Sequence, residues 1–130
     1  LIAMISALVT TLFILWKLAP APGERVAGLG LPEEQVTASV REGGRLFRVN
    51  CARCHGADLN GTDQGPPLLH PYYKPEHHGD LAFYLAVKNG VKQHHWDFGD
   101  MPVVPELEPE QVPHIVAFVR ARQRDAGLME

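Results

Sequence analysis

The stretch that most constrains this chain is Cys51-Ala52-Arg53-Cys54-His55, which holds its only two cysteines and places a histidine directly after the second. Cys-x-x-Cys-His is the signature of covalent c-type haem attachment. Two thiols three positions apart can each reach one vinyl group on the same haem edge. The next side chain then lies beneath the iron, where an imidazole nitrogen can bind it axially. Thioether formation consumes both thiols, so no disulfide framework is expected.

The competing uses of such a pair lack their required context. A disulfide here would close a very short loop and remove little unfolded-state entropy. A thioredoxin-like redox pair belongs near a βαβ pattern, and none is visible. A zinc half-site needs a second ligand pair at zinc-finger spacing. The remaining histidines (His70, His77, His78, His94, His95 and His114) come with no further cysteine.

A chain of 130 residues is one small domain with some length left over. Its net charge of −3 excludes a strongly basic nucleic-acid binder. The 45% of hydrophobic residues is unevenly spread, because Leu1 to Trp16 runs without a charge and Lys17 follows. About eighteen helical residues span roughly 27 Å, close to a hydrocarbon core of about 30 Å. Trp16 and Lys17 suit the membrane–water boundary. Residues 1–18 therefore predict a transmembrane anchor. The alternative is the apolar region of a cleavable signal peptide, but the run exceeds the usual ~7–15 residues. Pro22 after Ala19-Pro20-Ala21 also makes a poor cleavage context. Residues 19–31, with alternating prolines and later glycines, read as a semi-rigid linker.

Residues 32–130 read as an all-α domain. Pro32 followed by Glu33 and Glu34 opens a helix that runs to Cys51, interrupted at Gly43-Gly44. Two adjacent glycines call for a reason such as close packing of another helix. The stretch from Gly56 to Pro71 predicts loop. Within it, Gly65-Pro66-Pro67-Leu68 is a stiff turn able to present the Pro66 carbonyl to the free N–H of a haem-bound imidazole. Asp80 to Asn89 predicts a helix with Leu81, Tyr84, Leu85 and Lys88 on its inner side. Glu108-Pro109-Glu110-Gln111 opens a final helix whose apolar residues are Val112, Ile115, Val116, Phe118 and Val119. Pro113 predicts a distorted first turn, and Arg120, Arg122 and Arg124 suit the negative end of the helix dipole.

The iron's other face is open to several residues. Of three methionines, only Met101 lies in a loop downstream of the motif, with Pro102 after it. A thioether stabilises ferrous iron and is an expected sixth ligand. His94, His95, His70, His77 and His78 are the challengers, and bis-histidine ligation would lower the potential. Zinc or copper at His77-His78 or His94-His95 is a weaker reading, since nothing nearby in sequence completes a site.

These residues together resemble a bacterial class I monohaem cytochrome c carried on a membrane anchor. The resemblance covers Val36 to Arg122. It rests on Gly43 and Phe47 before the attachment motif, Gly65-Pro66-x-Leu68, Trp96 before Met101-Pro102, and Leu107 and Ile115-x-x-Phe118 in the last segment. It implies one covalent haem c, with thioethers to Cys51 and Cys54 and His55 and Met101 as axial ligands. It further implies the Pro66 carbonyl on the His55 ring, Trp96 near a haem propionate, and a glycine–aromatic crossing of the first and last helices.

The implied function is electron transfer rather than enzyme catalysis, with the haem domain on the periplasmic side of a bacterial inner membrane. Its partners would be membrane redox complexes. A quinol-oxidising reductase or dehydrogenase would donate, and an oxidase or photosynthetic reaction centre would accept. Membrane lipid would be a further partner, and no nucleic acid or small-molecule substrate is expected. Two alternatives are a fixed cytochrome c subunit of a larger complex, and an enzyme or gas sensor with a displaceable Met101. Asp97, Asp100, Glu106, Glu108 and Glu110 crowd the Met101 side. If that side docks to a basic partner, transfer slows as salt is added. A rate indifferent to ionic strength would point to apolar docking instead.

Overall fold

The computed structural model describes residues 33–129. The expected anchor at 1–18 and linker at 19–31 lie outside them. Among the described residues no helix is long and apolar enough to cross a membrane. Four α-helices make up the described residues: α1, Glu33–Asn50; α2, Ala52–His55; α3, Asp80–Asn89; and α4, Val112–Asp125. Short 3-10 turns at Pro71–Tyr73 and Pro109–Gln111 join them. Among the described residues one antiparallel bridge, Val91 to Met101, is the β-type pairing.

Helix α1 starts with Glu33 and Glu34 in its first turn and carries Arg48 in its last, each charge matched to the dipole end it sits near. The helix runs unbroken through Gly43-Gly44, where the sequence reading placed an interruption. The reason is the crossing with α4. A Cβ on Gly43 would lie 1.8 Å from the His114 carbonyl oxygen, so the two backbones touch there. Gly44 faces the Phe118 ring, where a Cβ would come to 3.2 Å. One turn on, the Phe47 and Phe118 rings meet at 5.4 Å between centroids. Ser39 Oγ and His114 Nδ1 share a hydrogen bond of 2.8 Å across the same crossing. Omitting two side chains costs helix propensity of about 1 kcal/mol each and gains a contact that no larger residue permits.

Helix α4 buries Val112, Ile115, Val116, Val119, Arg120 and Gln123, a stripe at helical spacing. Pro113 sits in the first turn, where its missing N–H has no partner to lose. The distorted first turn expected near Pro113 takes the form of the 3-10 turn Pro109–Gln111, after which the α-helix proper begins at Val112. A capping box joins Glu108 and Gln111 at that entry.

Arg120 and Gln123 are the polar centre of the fold. Arg120 is 5% exposed. It donates to Asp80 Oδ1 (2.8 Å), the Tyr73 and His78 carbonyls (2.6 Å each) and Gln123 Oε1 (2.7 Å). Gln123 Nε2 in turn donates to the Leu68 and Tyr73 carbonyls at 3.0 Å. Arg120 therefore serves burial and the loop carbonyls, in place of the dipole role expected of it. The guanidinium also lies 4.9 Å from the Phe83 ring centroid, which ties α3 to α4.

The apolar core gathers Leu46, Phe47, Leu59, Leu68, Leu107, Ile115 and Val119. Leu59 is fully buried at φ 61°, a left-handed conformation uncommon for a side-chain-bearing residue. Burial of a leucine contributes about 1.5–3 kcal/mol, which outweighs a backbone cost of about 1–3 kcal/mol only narrowly. Helix α3 turns differently from expectation. Leu81 is 68% exposed, while Phe83 and Val87 pack on the core. Apolar residues from Leu81 to Val87 surround that helix, so its sequence marks no single inner side.

Replacing Gly43 by alanine is expected to destabilise the protein by about 3 kcal/mol or more, beyond ordinary overpacking, because backbone must yield to backbone. Gly44→Ala, which meets only the Phe118 ring, should cost less. Denaturant unfolding midpoints of the two variants measure the difference.

Candidate cofactor site

Helix α1 stops at Asn50 because Cys51 leaves the helical region slightly, at φ −122° and ψ −34°. The chain re-enters helix for one turn, with the Cys54 and His55 amides donating to the Cys51 carbonyl at 3.1 and 3.0 Å. Gly56, at φ 79°, then swings it away. This break puts Cys51, Cys54 and His55 on the wall of a cavity of about 450 Å³, within the range of about 300–1,000 Å³ usual for cofactor sites. Phe47, Leu68, Phe83, Val104, Ile115 and Met101 are among its other walls. All four helices contribute.

The loop after the motif is folded onto it. Thr62 Oγ1 donates to the Cys54 carbonyl at 2.7 Å. Gly65 is buried against the same carbonyl, where a Cβ would intrude to 2.9 Å. That placement brings the Pro66 carbonyl to 2.9 Å from His55 Nδ1, which donates to it. The proton is thereby fixed on Nδ1, and Nε2 keeps its lone pair for a metal ion. Burial lowers the imidazole's pKa, and the bond to Pro66 partly restores it, so the ring is uncharged at neutral pH. Cys51 and Cys54 are not bridged. Burial, and then the neighbouring Cys54, push the Cys51 thiol up to about 11. A thiol so raised makes a poor thiolate for zinc or for disulfide exchange.

Met101 reaches the cavity from the opposite end of the sequence. Its amide and carbonyl pair with Val91 at 2.9 Å each, closing the loop from Lys92 to Asp100. Asp100 Oδ1 accepts from the Gln93 amide at 3.0 Å, and Gln93 Oε1 accepts from the Gly99 amide at 2.8 Å. Gly90, at φ 70°, lies so close that a Cβ would stand 2.6 Å from the Met101 carbonyl oxygen. Trp96 also lines the cavity. Its indole Nε1 is buried and has no hydrogen-bond partner, although it is near enough to the Tyr73 phenol to oppose the upward push of burial there.

His78, His94 and His95 border the cavity. The Nδ1–H of His78 donates to the Tyr72 carbonyl, that of His94 to the Lys92 carbonyl, and His95 faces His77. His70 instead caps the Pro71–Tyr73 turn, its Nδ1 accepting from the Tyr72 amide. Of the six residues singled out for the site, Cys51, Cys54, His55, Pro66, Trp96 and Met101 all border this one cavity. An apolar slot with two thiols, a free imidazole lone pair, a thioether and one unpartnered N–H fits a haem with its propionates.

Sequence reading missed Arg120 and Gln123, which fasten the Leu68, Tyr73 and His78 carbonyls behind the cavity wall. The signal was present. Both continue the stripe of Val112, Ile115, Val116 and Val119 at helical spacing.

A helical shell around one apolar cavity, with a Cys-x-x-Cys-His turn in its wall, defines a domain built around a prosthetic group. The chain belongs to the cytochrome c family, whose model matches residues 40–123. Members carry haem c covalently and are electron-transfer proteins, not enzymes. The chain is 36% identical over 74 residues to the "Cytochrome bc1 complex cytochrome c subunit" of Mycobacterium bovis, which covers 56% of this chain and 22% of that protein. It is 33% identical over 95 residues to the "Cbb3-type cytochrome c oxidase subunit CcoP" of Rhodobacter capsulatus, covering 66% of this chain and 31% of that one. It thus spans about a fifth to a third of the length of these relatives. The crystal structure of cytochrome CL from Methylophaga aminisulfidivorans shares the fold, with a TM-score of 0.54 and 23% identity over 80% of this chain and 71% of that one.

Gly90→Ala is expected to cost about 1–3 kcal/mol, from the positive φ and the crowded Met101 carbonyl. Amide hydrogen exchange at Val91 and Met101 should accelerate more than in α1.

Proposed function

We propose that this chain is a membrane-tethered electron carrier with a single haem c. When bound, the haem supplies an iron that alternates between ferrous and ferric. Cys51 and Cys54 would hold it by thioethers, His55 and Met101 would ligate its iron, and the Trp96 N–H would meet a propionate. The observation that carries this reading is the His55–Pro66 bond of 2.9 Å, which leaves a metal-ready Nε2 beside the cavity that Met101 also borders. With His55 and Met101 both taken up in holding it, small molecules would be kept off the iron. A closed, preset site also needs little rearrangement when its charge changes. A thioether ligand favours the ferrous state and a high potential.

Residues 1–18 cross the bacterial inner membrane once, 19–31 form the tether, and 32–130 make up the haem domain in the periplasm. The uncharged run from Leu1 to Trp16 supports this. Electrons come from a quinol-oxidising complex or dehydrogenase and leave to a terminal oxidase or reaction centre. Tethering raises the effective concentration near both. A second reading, a fixed cytochrome c subunit of a larger complex, is favoured by the names of the bc1 and cbb3 relatives. Gentle detergent extraction separates the two: a stoichiometric partner supports the subunit, and a free monomer the carrier.

The haem assignment predicts one haem per chain that survives acid–acetone extraction in the wild type and is lost in Cys51→Ala/Cys54→Ala. Met101→Ala should keep the haem yet admit carbon monoxide to the ferrous iron. Met101→His should lower the potential by on the order of 0.1 V or more, a fraction of the ~0.8 V that axial ligands span. Ready carbon monoxide binding by the wild type would overturn the carrier reading in favour of a sensor or enzyme.

A further inference from the structure

The loop histidines form a second candidate metal site. One ring nitrogen from each of His77, His78 and His95 lies within 4.8 Å of the others. His77 Nε2 and His95 Nε2 are 3.0 Å apart. Tetrahedral zinc with Zn–N of about 2.0–2.1 Å sets its nitrogens about 3.3–3.4 Å apart. The closest pair is therefore within about 0.4 Å of that spacing. The others need only modest rotation of side chains that are exposed or half-buried. His78 already has the arrangement of a metal-ligating histidine, with Nδ1–H donating to the Tyr72 carbonyl and Nε2 left free. Burial, and then the surrounding histidines, lower the pKa of His95; burial likewise lowers that of His78.

We propose that His77, His78 and His95 bind a divalent zinc ion, leaving one coordination position to water. The site would join the segment after Pro71–Tyr73 to the Lys92–Asp100 loop. Those segments are otherwise linked here by ring contacts, such as Tyr72 stacked on His95 at 4.4 Å. Sequence distance hid the site, because eighteen positions separate His77 from His95. Trp96 follows His95 directly, so zinc would brace the part of the cavity rim that carries the indole. Imidazole nitrogens with no thiolate or carboxylate suit zinc, copper and nickel rather than calcium or magnesium.

The test is zinc titration of the full-length, haem-loaded ferric protein in detergent, followed by calorimetry. The wild type should bind one equivalent, reversed by chelator, and its unfolding temperature should rise with zinc. His77→Ala and His95→Ala should each weaken binding about 100-fold or more, above the ~10–100-fold cost of losing an outer-shell partner. His114→Gln, which alters a histidine bonded to Ser39 at the helix crossing, should bind as the wild type does. An unchanged haem absorption band in each variant shows that the fold is intact. Absence of saturable zinc binding, or equal affinity in His77→Ala and wild type, overturns the proposal. So does loss of the iron's axial-ligand signature in His95→Ala, which would assign that imidazole to the haem.

Discussion

Everything else in the domain hangs on two backbones meeting at Gly43 and the His114 carbonyl. Contact at that distance fixes how α1 and α4 cross. The rest of each helix then has few places to go. Phe47 reaches Phe118, Cys51 leaves the end of α1 at the cavity, and Val112, Ile115, Val116 and Val119 form the wall opposite. A side chain at Gly43 would part the helices and widen that cavity on one side. The glycine is thus a requirement of the site as much as of the fold.

The cavity wall also depends on polar groups that no apolar pattern announces. A loop between two helices carries carbonyls that must be paired wherever it is buried. Arg120 and Gln123 reach the Leu68, Tyr73 and His78 carbonyls from inside α4. An arginine suits this task because its planar fork offers five donors. Burying its charge is tolerable because Asp80 and the loop carbonyls surround it. The Leu68–His78 segment is in this way held to a rigid helix, although it has only one 3-10 turn of its own.

The parts legible in sequence were those set by local chemistry. Cys51-Ala52-Arg53-Cys54-His55 names its cofactor through spacing alone. The glycine ends of α3 and the acidic start of α1 are likewise written in neighbouring residues. What was not legible depends on partners distant in the chain. Gly43-Gly44 signalled close packing of another helix, but not that α1 would run on unbroken or that the His114 carbonyl would be what it meets. Leu81 resembled a core residue because α3 is apolar on several sides, and only its docking against Arg120 and the core selects Phe83 and Val87. Leu59 sat unseen in a polar loop, since neither its left-handed φ nor its burial follows from its neighbours.

The two loops that close the cavity are stiffened by different means, and the difference bears on how an iron centre would be tuned. The Pro66 side is held by the buried Gly65 backbone pressed on the Cys54 carbonyl and by the Thr62 hydroxyl bonded to the same oxygen. The imidazole orientation there is set by groups that cannot titrate. The Met101 side rests on the half-buried Val91 pair and on side-chain bonds from Asp100 and Gln93, which are exposed to solvent. Exposed bonds of this sort contribute little each, so this loop is the softer of the two. A soft thioether loop beside a rigid imidazole loop would let partner docking or an added cation alter one axial position while sparing the other. The histidines lie on that softer side, where a small change in binding energy can shift the geometry most.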